Sequence, residues 1–156
     1  MSVVGTECRI YRNTGTWATP TWVEVDNVRD VNLPDEWNTA EFKTRGNTVI
    51  RHKRTTRNRS VSLQMEHDPS VSANDANFEA FTDAMYDESG DAGDGTIELA
   101  LMNGDITVSD IQGVRGVWLV TKMDEAEPLE DAQLWDIEIK PAVVDGENAV
   151  QWYEVP

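Results

Sequence analysis

Polar and apolar residues alternate along most of the chain, which is typical of β-strands that bury one face. In RSVSLQMEH, the apolar residues Val61, Leu63 and Met65 share one face, and the polar residues between them share the other. The same alternation recurs in ECRIYRN, TWVEV, NVRDVNL, TIELAL, GVRGVWLVTKM, QLWDIEIKP and AVQWYEV. This series of short strands separated by turns predicts a mainly β fold, an antiparallel β-barrel or sandwich.

One segment has the period of a helix instead. The apolar residues of NDANFEAFTDAMYDESG recur at positions i, i+3 and i+7, on one helical face; they are Phe78, Phe81 and Met85. Asn74 or Asp75 is a suitable N-cap, and Gly90 is a suitable residue to end the helix. We therefore expect one α-helix, at about residues 75–89, packed on the sheet.

Length and composition favour one folded domain over residues 1–156. The chain is 39% hydrophobic and 27% charged, as in folded globular proteins. The start, MSVVGTECR, lacks the pattern of a secretory signal, and no apolar run approaches the roughly 18 residues of a membrane span. Because Cys8 is the only cysteine, no intrachain disulfide can form. We expect assembly in a cytoplasm and no insertion into a membrane.

The charge of the chain is large and unevenly distributed. The formal net charge is −16, yet seven of the 13 Lys and Arg residues lie between Glu41 and Ser60, where Glu41 is the one acid. We name the segment at about residues 35–59 the arm; its basic residues are Lys43, Arg45, Arg51, Lys53, Arg54, Arg57 and Arg59. The arm is suited to an acidic partner. Alternatively, it is a solvated, twisted hairpin whose charges prevent edge aggregation.

Candidate residues for chemistry do not converge. His67 and Asp68 are adjacent, so on a strand they point to opposite faces and do not form a metal or acid–base site. His52 lies among basic residues, which repel cations. The acidic loop Asp87–Gly95 departs from the spacing of calcium-binding loops. With no phosphate-binding, dinucleotide-binding or nucleophile-elbow motif, we expect no enzyme, no cofactor, no metal and no small-molecule substrate.

Six tryptophans raise the alternative of a carbohydrate-binding or adhesion β-sandwich. Trp118 and Trp135 lie within strand patterns and are predicted core residues. Trp17, Trp22 and Trp37 flank turn residues and are candidates for exposure. No basic residues interleave with them in the sequence, as single-stranded nucleic acid binding requires. A sugar-binding module therefore stays as the alternative function.

The order of the segments resembles that of bacteriophage tail tube proteins. YRNTGTWATPTWVEVDNVRDVNL is similar to the family's opening strand pair, and a long excursion separates it from a polar strand, RSVSLQMEHD, and a helix, FEAFTDAM. The pattern I-E-L-A-x-x-x-G follows at Ile97–Gly104. GVRGVWLVTKM and EPLEDAQLWDIEIKP are similar to the closing pair, with D-x-x-x-K-P at its end. The resemblance extends from Thr6 to Pro141.

This resemblance implies a structural subunit of a virion tail, without catalytic residues. In that family, six-membered rings stack into a hollow tube through which the genome passes, and the excursion contacts neighbouring subunits and rings. The excursion corresponds here to the region Asp35–Arg59. We therefore expect copies of the chain as partners, other tail proteins as alternatives, assembly in the host cytoplasm, and DNA that passes the lumen without specific binding.

The separation of charge agrees with such a tube. An acidic lumen repels passing DNA, and a basic arm laid on the acidic face of the next subunit offsets repulsion between copies. One chain then carries both halves of a head-to-tail contact. Because arginine binds a carboxylate in two places, we expect five residues to make this contact: Arg51, Lys53, Arg54, Arg57 and Arg59.

The C-terminal segment AVQWYEVP leaves two alternatives open. It can pair with the sheet edge of a neighbouring subunit, which would close a larger barrel around the ring axis. It can equally complete the sheet of its own subunit. The sequence does not distinguish the two.

Overall fold

A computed structural model describes residues 8–87, 95–126, 133–142 and 150–156. These residues form ten strands and one helix. They are β1 Arg9–Asn13, β2 Trp22–Glu24, β3 Val28–Asn32, β4 Asp35–Thr44, β5 Asn47–Arg59, β6 Val61–His67, α1 Ser72–Met85, β7 Thr96–Met102, β8 Gln112–Ala126, β9 Gln133–Pro141 and β10 Gln151–Glu154. The predicted mainly β fold with a packed helix is confirmed.

Eight of the strands form one antiparallel sheet, in the order β2-β1-β7-β8-β9-β6-β3, with β10 paired to the start of β8. Strand β8 is 15 residues long and serves two halves of this sheet. Its first part pairs with β7 and β10, and its second part pairs with β9. The register shifts between Val120 and Lys122, an irregularity of the kind at which a strand bends. The long strand therefore joins the two halves.

Apolar side chains from both halves of the sheet meet the helix in the larger of two buried clusters. Its buried members include Ile10, Leu63, Leu99, Phe81, Trp118 and Ile137. Full burial of one side chain of this size contributes about 1.5–3 kcal/mol. The described strands do not close into a barrel, so the fold is the sandwich of the two predicted forms. Trp118 is a core residue as predicted, and Trp135 is half-buried against the same core.

The helix begins earlier than predicted. It runs over Ser72–Met85, with Val71 at the N-cap position and no side-chain cap, so the predicted cap at Asn74 or Asp75 is wrong. Gly90, the predicted end, and most of the acidic loop lie outside the described residues. The helix ends before that loop, where Tyr86 N–H donates to Thr82 O.

A local turn accounts for the early start. The Asp68 carboxylate accepts hydrogen bonds from the Ser70 N–H and hydroxyl, at 2.9 and 2.6 Å, and the chain enters the helix directly afterwards. Asp75 lies in the first helical turn, where a negative charge is favourable, and its carboxylate is 3.1 Å from His67 Nε2. His67 also stacks on Phe78. His67 thus contacts the helix, while Asp68 is hydrogen-bonded to Ser70.

A buried arginine organises the outer side of β7 and β8. Arg115 is 6% exposed, and two of its nitrogens donate to Glu98 Oε1 at 3.2 and 2.9 Å. The rings of Trp17, Trp22 and Tyr153 surround its guanidinium, with centroids at 4.0, 5.0 and 5.2 Å. Trp17 and Trp22 are therefore half-buried, which corrects the expectation that they are exposed. Arg115, whose guanidinium covers both rings, is far from them in the sequence.

The C-terminal segment completes the sheet of its own chain. Strand β10 pairs with β8 in a register that places Trp152 opposite Val114. This approach is close at Gly116, where a Cβ atom would lie 2.4 Å from Val150 Cα. Of the two alternatives for this segment, the structure shows the second.

We predict that Gly116→Ala destabilises the protein, because its methyl group has no room beside the Val150 backbone. Overpacking of this kind costs about 1–3 kcal/mol. Gly46→Ala is the matched control, since a Cβ there meets nothing within 4 Å. Denaturant unfolding measures both. Equal midpoints for the two variants would contradict the observed packing of β10 on β8.

Candidate interaction surface

The arm is a β-hairpin that forms a sheet of its own. Strands β4 and β5 pair with each other and with no other strand of the described chain. With 10 and 13 residues, and about 3.3 Å per residue, the hairpin extends for 30 Å or more. Apart from half-buried Ala40, every residue of β4 is exposed. Because two-stranded sheets are marginally stable alone, an arm of this kind is suited to bind a partner.

Ion pairs hold the base of the arm. The Asp35 carboxylate accepts hydrogen bonds from Arg57 Nε at 2.6 Å and from Arg59 Nε at 3.0 Å. The hydrogen bond from Arg57 is the main cause that holds the pKa of Asp35 below its usual 3.8. The Arg59 side chain is 8% exposed, and it also donates to the Val150 carbonyl at 3.2 Å. Two of the seven predicted contact residues therefore have partners in their own chain.

The middle of the arm carries an exposed tryptophan. The Trp37 ring is 40% exposed, as its sequence position predicted, and the guanidinium carbons of Arg54 and Arg57 lie 5.3 and 5.4 Å from its centroid. Such cation–π contacts contribute about 0.5–1 kcal/mol at exposed sites. Arg54 therefore also has a contact within the arm.

The outer part of the arm presents both charge and apolar surface. Phe42 lies opposite Arg51 and Ala40 lies opposite Lys53, so these four share one side of the hairpin, which we name the distal face. Within the described ranges, Arg51 and Lys53 have no ion-pair partner. Phe42 is 50% exposed. The sequence pattern did not point to this apolar contribution, although Phe42 stands directly before the basic run that begins at Lys43.

Of the remaining predicted contact residues, Lys43 and Arg45 lie at the tip, beside the turn between β4 and β5. Both are exposed, and in the described part of the chain neither has an ion-pair partner. The structure thus separates the seven residues into an occupied base and an available outer part.

An acidic surface lies on the side of β6, β9 and β8 that faces away from the core; we name it the acidic face. Its central cross-strand row is Gln64, Asp136 and Asp124, and Glu138 lies opposite Lys122 in the next row. Lys122 Nζ is 3.0 Å from Asp124 Oδ2. This hydrogen bond, followed by the charges of Asp124, Glu138 and Asp136, raises the pKa of Lys122. Lys140 Nζ lies 3.6 Å from Glu138 Oε1 on the same side, so three carboxylates against two lysines leave a small negative surplus.

The described residues contain no group of three or more His, Cys, Asp or Glu side chains placed to hold a metal ion. Within the same residues, no helix has the length and apolar character that crossing a membrane requires. What the geometry offers is a projecting basic hairpin and an acidic face on one chain.

Solved structures identify the fold. The chain matches the tail of an empty gene transfer agent particle, refined with C6 symmetry, with a TM-score of 0.63 at 12% identity over 97% of this chain and 99% of the other. It matches the SPP1 tail tube with a TM-score of 0.66 at 9% identity over 99% of this chain and 79% of the other. An anti-feeding prophage baseplate chain matches with a TM-score of 0.59 at 9% identity, over 99% and 97%.

The chain therefore has the fold of phage-type tail tube and baseplate proteins, as the resemblance in its sequence predicted. No protein-family model matches the chain, and a search of curated proteins finds no significant match. The likeness is thus one of backbone architecture.

We predict that Asp35→Asn loosens the base of the arm, because Arg57 and Arg59 lose their shared carboxylate. Limited trypsin digestion should cut the arm faster in this variant than in the wild type. Glu36→Gln is the matched control: it removes the same charge one residue later, opposite Asn58. Equal cleavage rates for the two variants would contradict the anchoring role of Asp35.

The same ion pairs predict a pH dependence. Because the pKa of Asp35 is lowered in the folded chain, its stabilising contribution is fully present above pH 3.8 and is lost as the pH falls through the lower folded value. The carboxyl carbon resonance of Asp35 should therefore titrate below 3.8, and Arg57→Gln should move the midpoint upward. A midpoint that is unchanged in the variant would contradict the assignment.

Proposed function

We propose that this protein is a structural subunit of a phage-type tail tube. The observation that carries the proposal is the match of its fold, over 97% or more of the chain, to chains from tail and baseplate assemblies. The projecting basic arm adds independent support, since a fold alone does not fix a function. The location that follows is the tail of a virion, with assembly in the host cytoplasm.

The subunits form six-membered rings that stack into a tube. The gene transfer agent tail with the same fold was refined with C6 symmetry, which supports this number. A basic arm that binds a neighbouring copy at a surface other than its own makes a head-to-tail contact, the kind that generates rings and filaments. The partners are copies of the chain, with other tail proteins at the ends of the tube.

The acidic face lines the lumen. Its carboxylates Asp124, Asp136 and Glu138 outnumber its lysines, Lys122 and Lys140, and they lie on the side of the sheet that carries neither the helix nor the core. Electrostatic repulsion acts over about 8 Å at physiological salt, so a lining of this kind keeps phosphates from binding the wall. DNA then passes without specific recognition, and the protein needs no catalytic group.

The tryptophans on which the sugar-binding alternative rested have contacts within the chain, although Trp152 is exposed. That alternative required exposed aromatic platforms, and two of the three candidate tryptophans, Trp17 and Trp22, pack around Arg115. The third, Trp37, lies on the arm between two arginines. The other alternative, a protein whose basic arm binds an acidic partner, agrees with a tube in which that partner is the next copy.

We predict that Arg51→Glu/Lys53→Glu abolishes assembly, because it places negative charge where the next acidic subunit must approach. Lys122→Glu/Lys140→Glu is the matched control. It also reverses two positive charges, but on the proposed lumen side, where the two lysine side chains are 54% and 55% exposed. Sedimentation and negative-stain electron microscopy at low and high salt measure the outcome.

The wild type should form rings or tubes that loosen at high salt, since salt screens exposed charge pairs. The control variant should still assemble, and the arm variant should stay small. Tubes of normal length from the arm variant would contradict the role of its basic residues. A wild type that stays monomeric under all conditions would contradict the tube itself.

A further inference from the structure

An apolar groove lies beside the base of the arm. It has a volume of about 240 Å³, and its lining includes Cys8, Val31, Leu33, Leu101 and Trp152. Trp152 is 60% exposed and Val31 is 42% exposed, although both lie against other apolar residues. Large apolar side chains grouped in this way are typical of surfaces that a partner covers.

The groove continues into an acidic recess. A second cavity, of about 520 Å³, shares Cys8 and Val31 with the first, and its charged lining is three acids, Glu24, Asp26 and Asp30, against two arginines, Arg9 and Arg29. Arg9 is 3.9 Å from Glu24, a long contact between two side chains that are each more than 40% exposed. The combined groove therefore offers an apolar half and a negatively charged half.

The arm of the same chain is not suited to fill this groove. The groove adjoins the base of the arm through Leu33, two residues before β4 begins. Phe42 lies seven residues beyond Asp35 along a paired strand, which places it about 20 Å or more from the base. A hairpin paired along its length does not fold back over that distance, so the occupant comes from elsewhere.

The distal face of the arm has the matching chemistry. It combines the half-exposed ring of Phe42 with the cations of Arg51 and Lys53, which lack ion-pair partners among the described residues. On the opposite side of the hairpin, Arg57 is bound to Asp35 and Arg54 lies near the Trp37 ring. The distal face thus presents apolar surface together with available positive charge.

We propose that the distal face of one copy lies in the groove of a second copy. Phe42 packs against the apolar half, and Arg51 and Lys53 lie over Glu24, Asp26 and Asp30. The inference rests on the proposed function, because it requires that copies assemble. It adds the receiving site, and it makes an aromatic side chain, as well as the arginines, responsible for the contact.

The single native cysteine provides a direct test. Cys8 is exposed and lines the groove, so a cysteine introduced at Phe42 should cross-link to it in assembled protein. Ile50→Cys is the matched control. Ile50 is similarly exposed, at 46%, but it lies beyond Phe42 and Arg51, the last regular pair of the distal face.

Mild oxidation of assembled Phe42→Cys should give a ladder of dimers and larger multiples on a non-reducing gel. Ile50→Cys should give few cross-linked products. Adding Cys8→Ser to the Phe42→Cys variant should remove the ladder. Ala40→Cys, cross-linked with a short bismaleimide, is a second variant on the same face; it keeps Phe42 in case the first variant does not assemble.

Two outcomes would overturn this docking without contradicting the proposed tube. One is tubes in which neither cysteine on the distal face cross-links to Cys8, and the other is a cross-link confined to single chains. Absence of tubes in the unmodified protein would instead overturn the proposed function, and the docking with it. Sedimentation of each sample before oxidation separates these cases.

Discussion

The ion pairs of Asp35 with Arg57 and Arg59 are the contact on which the arm depends. A two-stranded hairpin has no core, so its direction is fixed at its base, where one carboxylate binds two guanidinium groups and Arg59 also reaches the Val150 carbonyl. Both arginines are therefore paired within their own chain, although one carboxylate offsets only one of their two positive charges. The outer part of the arm then carries the charge that is available to a partner.

The body of the protein provides a rigid support for this arm and keeps its charges apart. Strand β8 joins two half-sheets around one core that also receives the helix. Alternation along β6 and β9 buries residues such as Leu63 and Ile137 and turns acidic residues such as Asp136 to the other side. The period of two that builds the core therefore also builds the acidic face, without any additional element.

Periodicity predicted the strands and the existence of the helix, because burial of one face leaves a local trace in the sequence. It did not predict contacts between distant residues. Trp17 and Trp22 looked exposed until the fold placed Arg115 between them, and Arg57 and Arg59 looked available until Asp35 was found beside them. The helix start was missed for a different reason, since the Asp68 turn leads into it without a side-chain cap.

Head-to-tail assembly of this chain through its arm can be observed directly. Cryo-electron microscopy of the purified, assembled protein tests it most directly, because it shows both the symmetry and the course of the hairpin. We expect stacked rings in which the β4–β5 density leaves its own subunit and lies against a neighbour, with the acidic face toward the axis. Rings in which the arm folds onto its own subunit, or particles with the acidic face outward, would contradict it.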